Sequence, residues 1–283
     1  MMIEERWQLY CALSNLIFSK HSYIRRIREE LTDVDTLFSL PHTAIDELFA
    51  KKGFANKLFD IEYLKWIRSE IEWYLSKGVQ LIDINSNNYP QNLKECIDAP
   101  LLLYYRGNGD LTNEKVISIV GTRLPTQDGI LFCNEVVSNF VKEGYEPLIV
   151  SGLAIGIDLA SHIAAIENSL QTLAVLPCGI DEIYPSSNRA VAIKIVENGG
   201  IITEFPRGVK PLKHNFLQRN RIIAGIANAL VVIQSRIKGG SMSTVEYANS
   251  YSRDIFALPG RMNDINFYGC NYLISKNIAQ IYL

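Results

Sequence analysis

The sequence predicts an α/β protein, a doubly wound and mostly parallel sheet preceded by a small all-helical region. Two rhythms carry that expectation. Residues 1 to about 77 place apolar side chains at helical spacing, with Leu9, Leu13, Leu16 and Ile17 on one line and Leu58, Ile61, Leu64, Ile67, Ile71 and Leu75 on another. After Gly78, short runs of Val, Ile and Leu alternate with helical stretches, the pattern of strands covered on both faces.

The elements follow in order. Pro41 and Gly53 punctuate the first half into a bundle of four or five helices. The strands expected in the second half are Leu101 to Tyr105, Val116 to Val120, Leu148 to Val150, Thr172 to Leu176, Ile201 to Thr203, Ala229 to Ile233 and Ile255 to Leu258. Helices are expected at about 125–143, 155–168, 187–198, 215–227 and 243–252. The expected domains are therefore 1–77 and 78–283. In such sheets ligands bind outside the carboxyl ends of the strands, so the loops there are the candidate sites.

Composition narrows the function classes. A chain of 283 residues, 48% apolar and 20% charged, is an ordinary globular protein, and no apolar run reaches the ~20 residues of a membrane span. The first residues lack the basic-then-apolar pattern of a secretory signal. Five scattered cysteines with no Cys-x-x-Cys pair argue for a reducing, cytoplasmic setting and against a zinc site. The four histidines have no metal-ligand spacing.

Charge is distributed unevenly. The net charge is −2, yet residues 205–245 contain no acid and hold Arg207, Lys210, Lys213, Arg219, Arg221, Arg236 and Lys238. Such a run reads either as a polyanion site or as solvated surface charge. The strand-end loops favour the former. Gly121, Thr122 and Arg123 follow one strand, and Ser151 and Gly152 another; both loops offer backbone N–H groups to an anion or simply make tight turns. Lys238, Gly239, Gly240 and Ser241 form a third anion cradle, with Ser243 and Glu246 spaced as a capping box. There is no Gly-x-Gly-x-x-Gly and no phosphate-binding loop of the Gly-Lys-Ser/Thr type, so no nucleotide cofactor is implied.

Three further groups stay open on sequence alone. Arg219 falls within the apolar arc of its helix, whereas Arg221 points to the opposite side; a buried Arg219 needs an anion, either Glu204 or a phosphate. Phe216 is either core or a stacking face for a base. Asp158 and His162, four apart, fit a local contact on one helix better than a catalytic pair.

Taken together, the motifs resemble the DNA-processing protein A family (DprA, also called Smf). The matching pieces begin with Tyr89-Pro90, Leu93 and the run Ala99-Pro100-Leu101-Leu102-Leu103-Tyr104, then Val120-Gly121-Thr122-Arg123. They continue through Ser151-Gly152-Leu153-Ala154 with Gly156-Ile157-Asp158 and His162, and Cys178-Gly179 with Asp181 and Tyr184-Pro185. Glu204-Phe205-Pro206, Phe216 with Arg219-Asn220-Arg221-Ile222-Ile223-Ala224-Gly225, Gly240-Ser241 with Ser243-Thr244, and Leu258-Pro259-Gly260 complete the series. The resemblance implies an extended Rossmann-like fold that binds single-stranded DNA without catalysis, pairs into a homodimer and loads the RecA recombinase in natural transformation. It implies DNA contacts at Arg123, Lys213 and Phe216, to which Arg219 and Asn220 are added here. The helical start resembles a sterile-alpha-motif-like domain. With the last residue at Leu283, the winged-helix domain that many members carry after the core is not expected. The rival class is a nucleotide phosphoribohydrolase, whose related fold uses a Gly-Gly-x-Gly-Thr-x-x-Glu loop. The stretch 239–246 departs from that loop by one extra residue and by Ser243 in place of the third Gly.

Overall fold

The computed structural model describes residues 3–18 and 20–282. The chain opens with five helices: α1 (Ile3–Ile17), α2 (His21–Glu30), α3 (His42–Leu48), α4 (Phe54–Leu58) and α5 (Ile61–Ser76), with a 3-10 turn at Val34–Ser39 between α2 and α3. Local chemistry sets their limits. Asp60 caps α5 by accepting from the Tyr63 N–H at 2.7 Å, which satisfies one of the orphan donors of the first turn. Gly53, at φ +77°, turns the chain into α4, where Asp46 accepts from the Ala55 N–H at 2.9 Å. The buried line of Tyr10, Leu13 and Ile17 meets Ile67 and Tyr74, so α1 and α5 share one core.

The rest of the chain builds one nine-stranded sheet. Its strands are β1 (Gln80–Asp83), β2 (Leu102–Gly107), β3 (Val116–Val120), β4 (Leu148–Ser151), β5 (Thr172–Val175), β6 (Gly199–Thr203), β7 (Ala229–Val232), β8 (Asp254–Ala257) and β9 (Gln280–Ile281). Their order across the sheet is β1-β2-β6-β5-β4-β3-β7-β8-β9. The short helix α6 (Gln91–Lys94) lies between β1 and β2. The crossovers are α7 (Gln127–Lys142), α8 (Ile157–Glu167), α9 (Arg189–Glu197), α10 (Lys213–Ile226), α11 (Ser241–Ser250) and α12 (Tyr268–Ser275). Every residue of β3 to β7 is buried, as the unbroken apolar runs require.

Two sequence expectations change. The strand expected at Leu101 to Tyr105 runs antiparallel to its neighbours, because the segment 108–115 that leads to β3 is too short for a parallel crossover. Strands β1 and β9, four and two residues long, lie outside the predicted set. The remaining links are parallel, and the order reverses beside β3, which pairs with β4 on one side and β7 on the other. The loops leaving β3 and β7 diverge there and open a crevice.

Helix α10 is held from both sides. Arg221, expected on its outer side, is only 1% exposed and pairs with Glu204, 4% exposed, at the end of β6. The sequence offered Glu204 to Arg219; it belongs to Arg221 because that side of α10 is roofed by α2 and α6 rather than by water. The His21 Nδ1 of α2 accepts from Arg221 Nε at 2.8 Å. Burial and the adjacent Arg221 hold the His21 ring neutral, with a pKa pulled down to about 3. A charged cluster thus fastens the helical region to the sheet.

Asp158 and His162 part company on α8. The His162 Nδ1 lies 2.7 Å from the Thr172 hydroxyl, which itself donates to the Ile149 carbonyl at 2.9 Å, so Nδ1 carries the hydrogen. Asp158 turns the other way, its carboxylate 3.4 Å from the Ala154 N–H. The local contact expected between them does not form, because the sheet claims the imidazole.

Two outcomes follow for stability. Arg221→Met, read by urea denaturation, lowers the unfolding free energy by about 3–5 kcal/mol, since it strands a buried carboxylate; replacing Glu204 by Gln as well restores most of the loss. Additive losses in the double variant would contradict the pairing. The His162 ring, pushed down to about 3 by burial, gives no NMR titration step near the ~6.5 of an ordinary histidine. Its folded value lies below the unfolded one, so its contribution is complete above ~6.5 and is lost as the pH falls toward about 3.

Candidate nucleic-acid interface

The crevice at the switch point is a cleft of ≈ 630 Å³. Five segments build it: the loop after β3, the start of α8, Tyr184 in the loop after β5, the first turns of α10, and the loop from β7 into α11. Gly121 lets the first two meet, since a Cβ there would stand 2.6 Å from Ile157 Cγ1. Lys213 is the first residue of α10 and Ser241 the first of α11, and neither helix has a side-chain cap. The positive ends of two helix dipoles therefore open on the cleft.

Of the expected DNA contacts, Arg123, Lys213, Phe216, Arg219 and Asn220 all line this one cavity. The half-buried Phe216 ring sits among them: the Arg123 guanidinium carbon is 5.2 Å from its centroid and that of Arg219 is 5.9 Å away. Tyr184 approaches the same ring edge-on at 5.5 Å. Phe216 is neither pure core nor free; it is an aromatic wall of the cleft.

Arg219 does not take Glu204, which pairs with Arg221. Its Nη1 donates to the carbonyl oxygens of Gly152 and Val175, and it is 3% exposed. Burial lowers its pKa to about 10, opposed by the nearby Asp158 charge, so the guanidinium stays ionised at neutral pH. Asn220 reaches across to α11, donating to the Ser243 hydroxyl at 2.9 Å.

The three loops expected to cradle anions are not equivalent. Gly121, Thr122, Lys238, Gly239, Gly240 and Ser241 line the cleft. Ser151 and Gly152 lie behind its floor. The Ser151 hydroxyl is spent on the Ile119 carbonyl at 2.7 Å, and a Cβ on Gly152 would stand 2.5 Å from the Arg219 guanidinium, so this glycine serves packing. Ser243 is a brace: α11 opens three residues earlier than the capping box requires, and the Ser243 hydroxyl donates to the Gly240 carbonyl at 2.8 Å. Glu246 is consequently exposed and absent from the cleft, where a phosphoribohydrolase loop would need its carboxylate.

The acid-free stretch also divides. Arg207 stacks on Trp73 at 4.1 Å and pairs with Glu70 at 3.1 Å, and Lys210 pairs with Glu182 at 3.0 Å. Among the described residues, Arg123, Lys213, Arg236 and Lys238 have no such carboxylate partner, and all four line the cleft. Sequence reasoning left Arg236 and Tyr184 out of the site. Arg236 lies two residues before Lys238 in the same basic run, whereas Tyr184 joins only through the fold. No group of three or more His, Cys, Asp or Glu side chains among the described residues could hold a metal ion, and no described helix is long and apolar enough to cross a membrane.

Comparison with known proteins agrees with this architecture. Residues 80–283 match the family model for the DNA recombination-mediator protein A. The DNA processing protein DprA of Streptococcus pneumoniae is 39% identical over 206 residues, 72% of each chain. An X-ray structure of DNA processing protein A from Streptococcus pneumoniae superimposes with a TM-score of 0.69 at 30% identity, covering 93% of this chain and 94% of that one. The DNA processing protein A from Helicobacter pylori, solved to describe its single-stranded DNA binding mode, gives 0.63 at 31% identity over 72% of this chain and 90% of that one. This chain belongs to the DNA recombination-mediator protein A family, the DprA/Smf proteins.

Proposed function

We propose that the cleft holds a single strand of DNA and that the protein acts as a non-catalytic mediator of recombination. The observation that carries this reading is the convergence of Arg123, Lys213, Arg236 and Lys238, drawn from three segments and free of carboxylate partners among the described residues, on the cleft that Phe216 also lines. Phosphates meet these cations and the open starts of α10 and α11. Phe216 offers its ring to a base, a contact available only when the bases are unpaired. Backbone contacts of this kind carry no sequence information, so discrimination among strands by the cations themselves is weak.

The partners extend the same reading. Delivery of the strand to the RecA recombinase, in the cytoplasm and during natural transformation, rests on family membership. Pairing of two copies rests also on the surface: Leu131 and Phe132 of α7 are exposed, as are Met262, Ile265 and Tyr268, and the Phe132 ring lies 6.5 Å from that of Phe267. Exposed apolar side chains of this kind favour association with a second protein surface. The helical region up to about residue 77 is a separate domain docked on the sheet.

Fluorescence anisotropy with labelled oligonucleotides tests the central claim. Single strands bind more tightly than duplexes, and neutralising about four phosphates gives a slope of roughly −3 in log affinity against log salt. Arg123→Ala and Lys213→Ala each weaken binding to every strand and flatten that slope by about 0.7. Phe216→Ala loses ~1–3 kcal/mol with the slope unchanged. A salt-independent affinity, or full affinity in both cation variants, would reject the assignment. Release of free base from nucleoside monophosphates would favour the phosphoribohydrolase class instead.

A further inference from the structure

Asp158 is the one carboxylate among the residues lining a cleft that also presents Arg123, Lys213, Arg219, Arg236 and Lys238. A carboxylate in a site for phosphates repels them, so whatever lies against it is another part of the ligand. Its own needs are poorly met. The residue is 9% exposed, yet its carboxylate has only the Ala154 N–H at 3.4 Å and the Ser151 hydroxyl nearby, and the latter donates to Ile119. Among the described residues no cation comes within ion-pairing distance of it; Arg219 acts on it through space, with its own Nη1 committed to two carbonyls. Burial pushes its pKa upward, the mark of a carboxylate short of donors. A buried carboxylate on a cleft wall is stabilised when a ligand brings N–H groups to it.

The position indicates which N–H groups. Phe216, Arg219 and Asp158 line the same cleft, with the Arg219 guanidinium carbon 5.9 Å from the Phe216 centroid. A base laid on Phe216 therefore lies in the cavity that the carboxylate also lines. We propose that Asp158 reads that base, accepting hydrogen bonds from its Watson–Crick edge and so favouring guanine over thymine at one position of the bound strand. This rests on the single-stranded DNA reading above and gives it a specificity that the cations lack. Guanine presents two adjacent donors, N1–H and the N2 amine, which match the two oxygens of a carboxylate. Thymine presents one N–H between two carbonyl oxygens, which the carboxylate repels. Unpaired strands are the ones whose Watson–Crick edges are free to be read.

The test compares an all-thymidine oligonucleotide with the same strand carrying one central deoxyguanosine, and with one carrying deoxyinosine, which keeps N1–H and lacks the N2 amine. In the unaltered protein the guanosine strand binds about tenfold more tightly than all-thymidine, the scale of one bidentate base contact, and the inosine strand falls between. In Asp158→Asn the guanosine preference drops to about onefold, while all-thymidine binds at least as tightly because a repulsive charge is gone. Equal affinity of the guanosine and thymidine strands for the unaltered protein, which requires no variant to fold, overturns the proposal and leaves strand binding intact. A guanosine preference that persists undiminished in Asp158→Asn overturns it as well. Failure of all three strands to bind defeats the underlying reading itself.

Discussion

Helix α10 is fixed by two arginines on opposite sides of it that both find partners within the protein. Arg221 meets Glu204 and His21 on the side of the helical region. Arg219 meets the carbonyls of Gly152 and Val175 on the side of the sheet. Both are buried, and an unpaired buried guanidinium costs several kcal/mol, so the helix has little freedom to rotate or slide. Lys213, Phe216 and Asn220 ride on this fixed rod. Their placement in the cleft is a consequence of charges satisfied inside the protein.

The same arrangement gives the helical region a mechanical role. His21 from α2 supplies the acceptor for Arg221 Nε, and the Trp73, Tyr74 and Glu70 side chains of α5 hold Arg207 just past the end of β6. Both contacts lie along the segment that runs from β6 into α10. The region that carries no residue of the cleft nonetheless braces the chain that forms its wall.

Much of this was readable in the sequence, for a physical reason. Strands buried on both faces must be largely apolar, and β3 to β7 announced themselves that way; the glycines and hydroxyls of the loops after β3 and β7 marked the crevice. What could not be read were pairings between distant segments. The acid-free stretch looked uniformly available, but Glu70, Glu182 and Glu204 remove Arg207, Lys210 and Arg221 from it, and the first two partners come from outside the stretch by long sequence separations. Arg221 was placed opposite the apolar arc with no partner assigned, because helical periodicity registers one apolar face and is blind to a second, polar interface. Ser151 and Gly152 have the composition of an anion loop, yet β4 lies one strand away from the switch point, and Arg219 fills the space above them.

The division of labour within the cleft then follows from exposure. Arg123, Lys213 and Lys238 are exposed, so each phosphate contact made with them is screened by salt and weak by itself. A compact ligand touching one or two such groups gains little. A polymer gains from each in turn, because phosphates held at one cation raise the local concentration of their neighbours at the next. Affinity for a long anion and indifference to a short one thus emerge from the same side chains. The buried members of the site behave in the opposite way: Arg219 and Asp158 lie where the dielectric is low and geometry is fixed, so a misplaced group there is penalised strongly. In the proposed reading, a surface of weak, additive cations over a floor of strong, exacting groups holds a strand loosely along its length and registers it at one point.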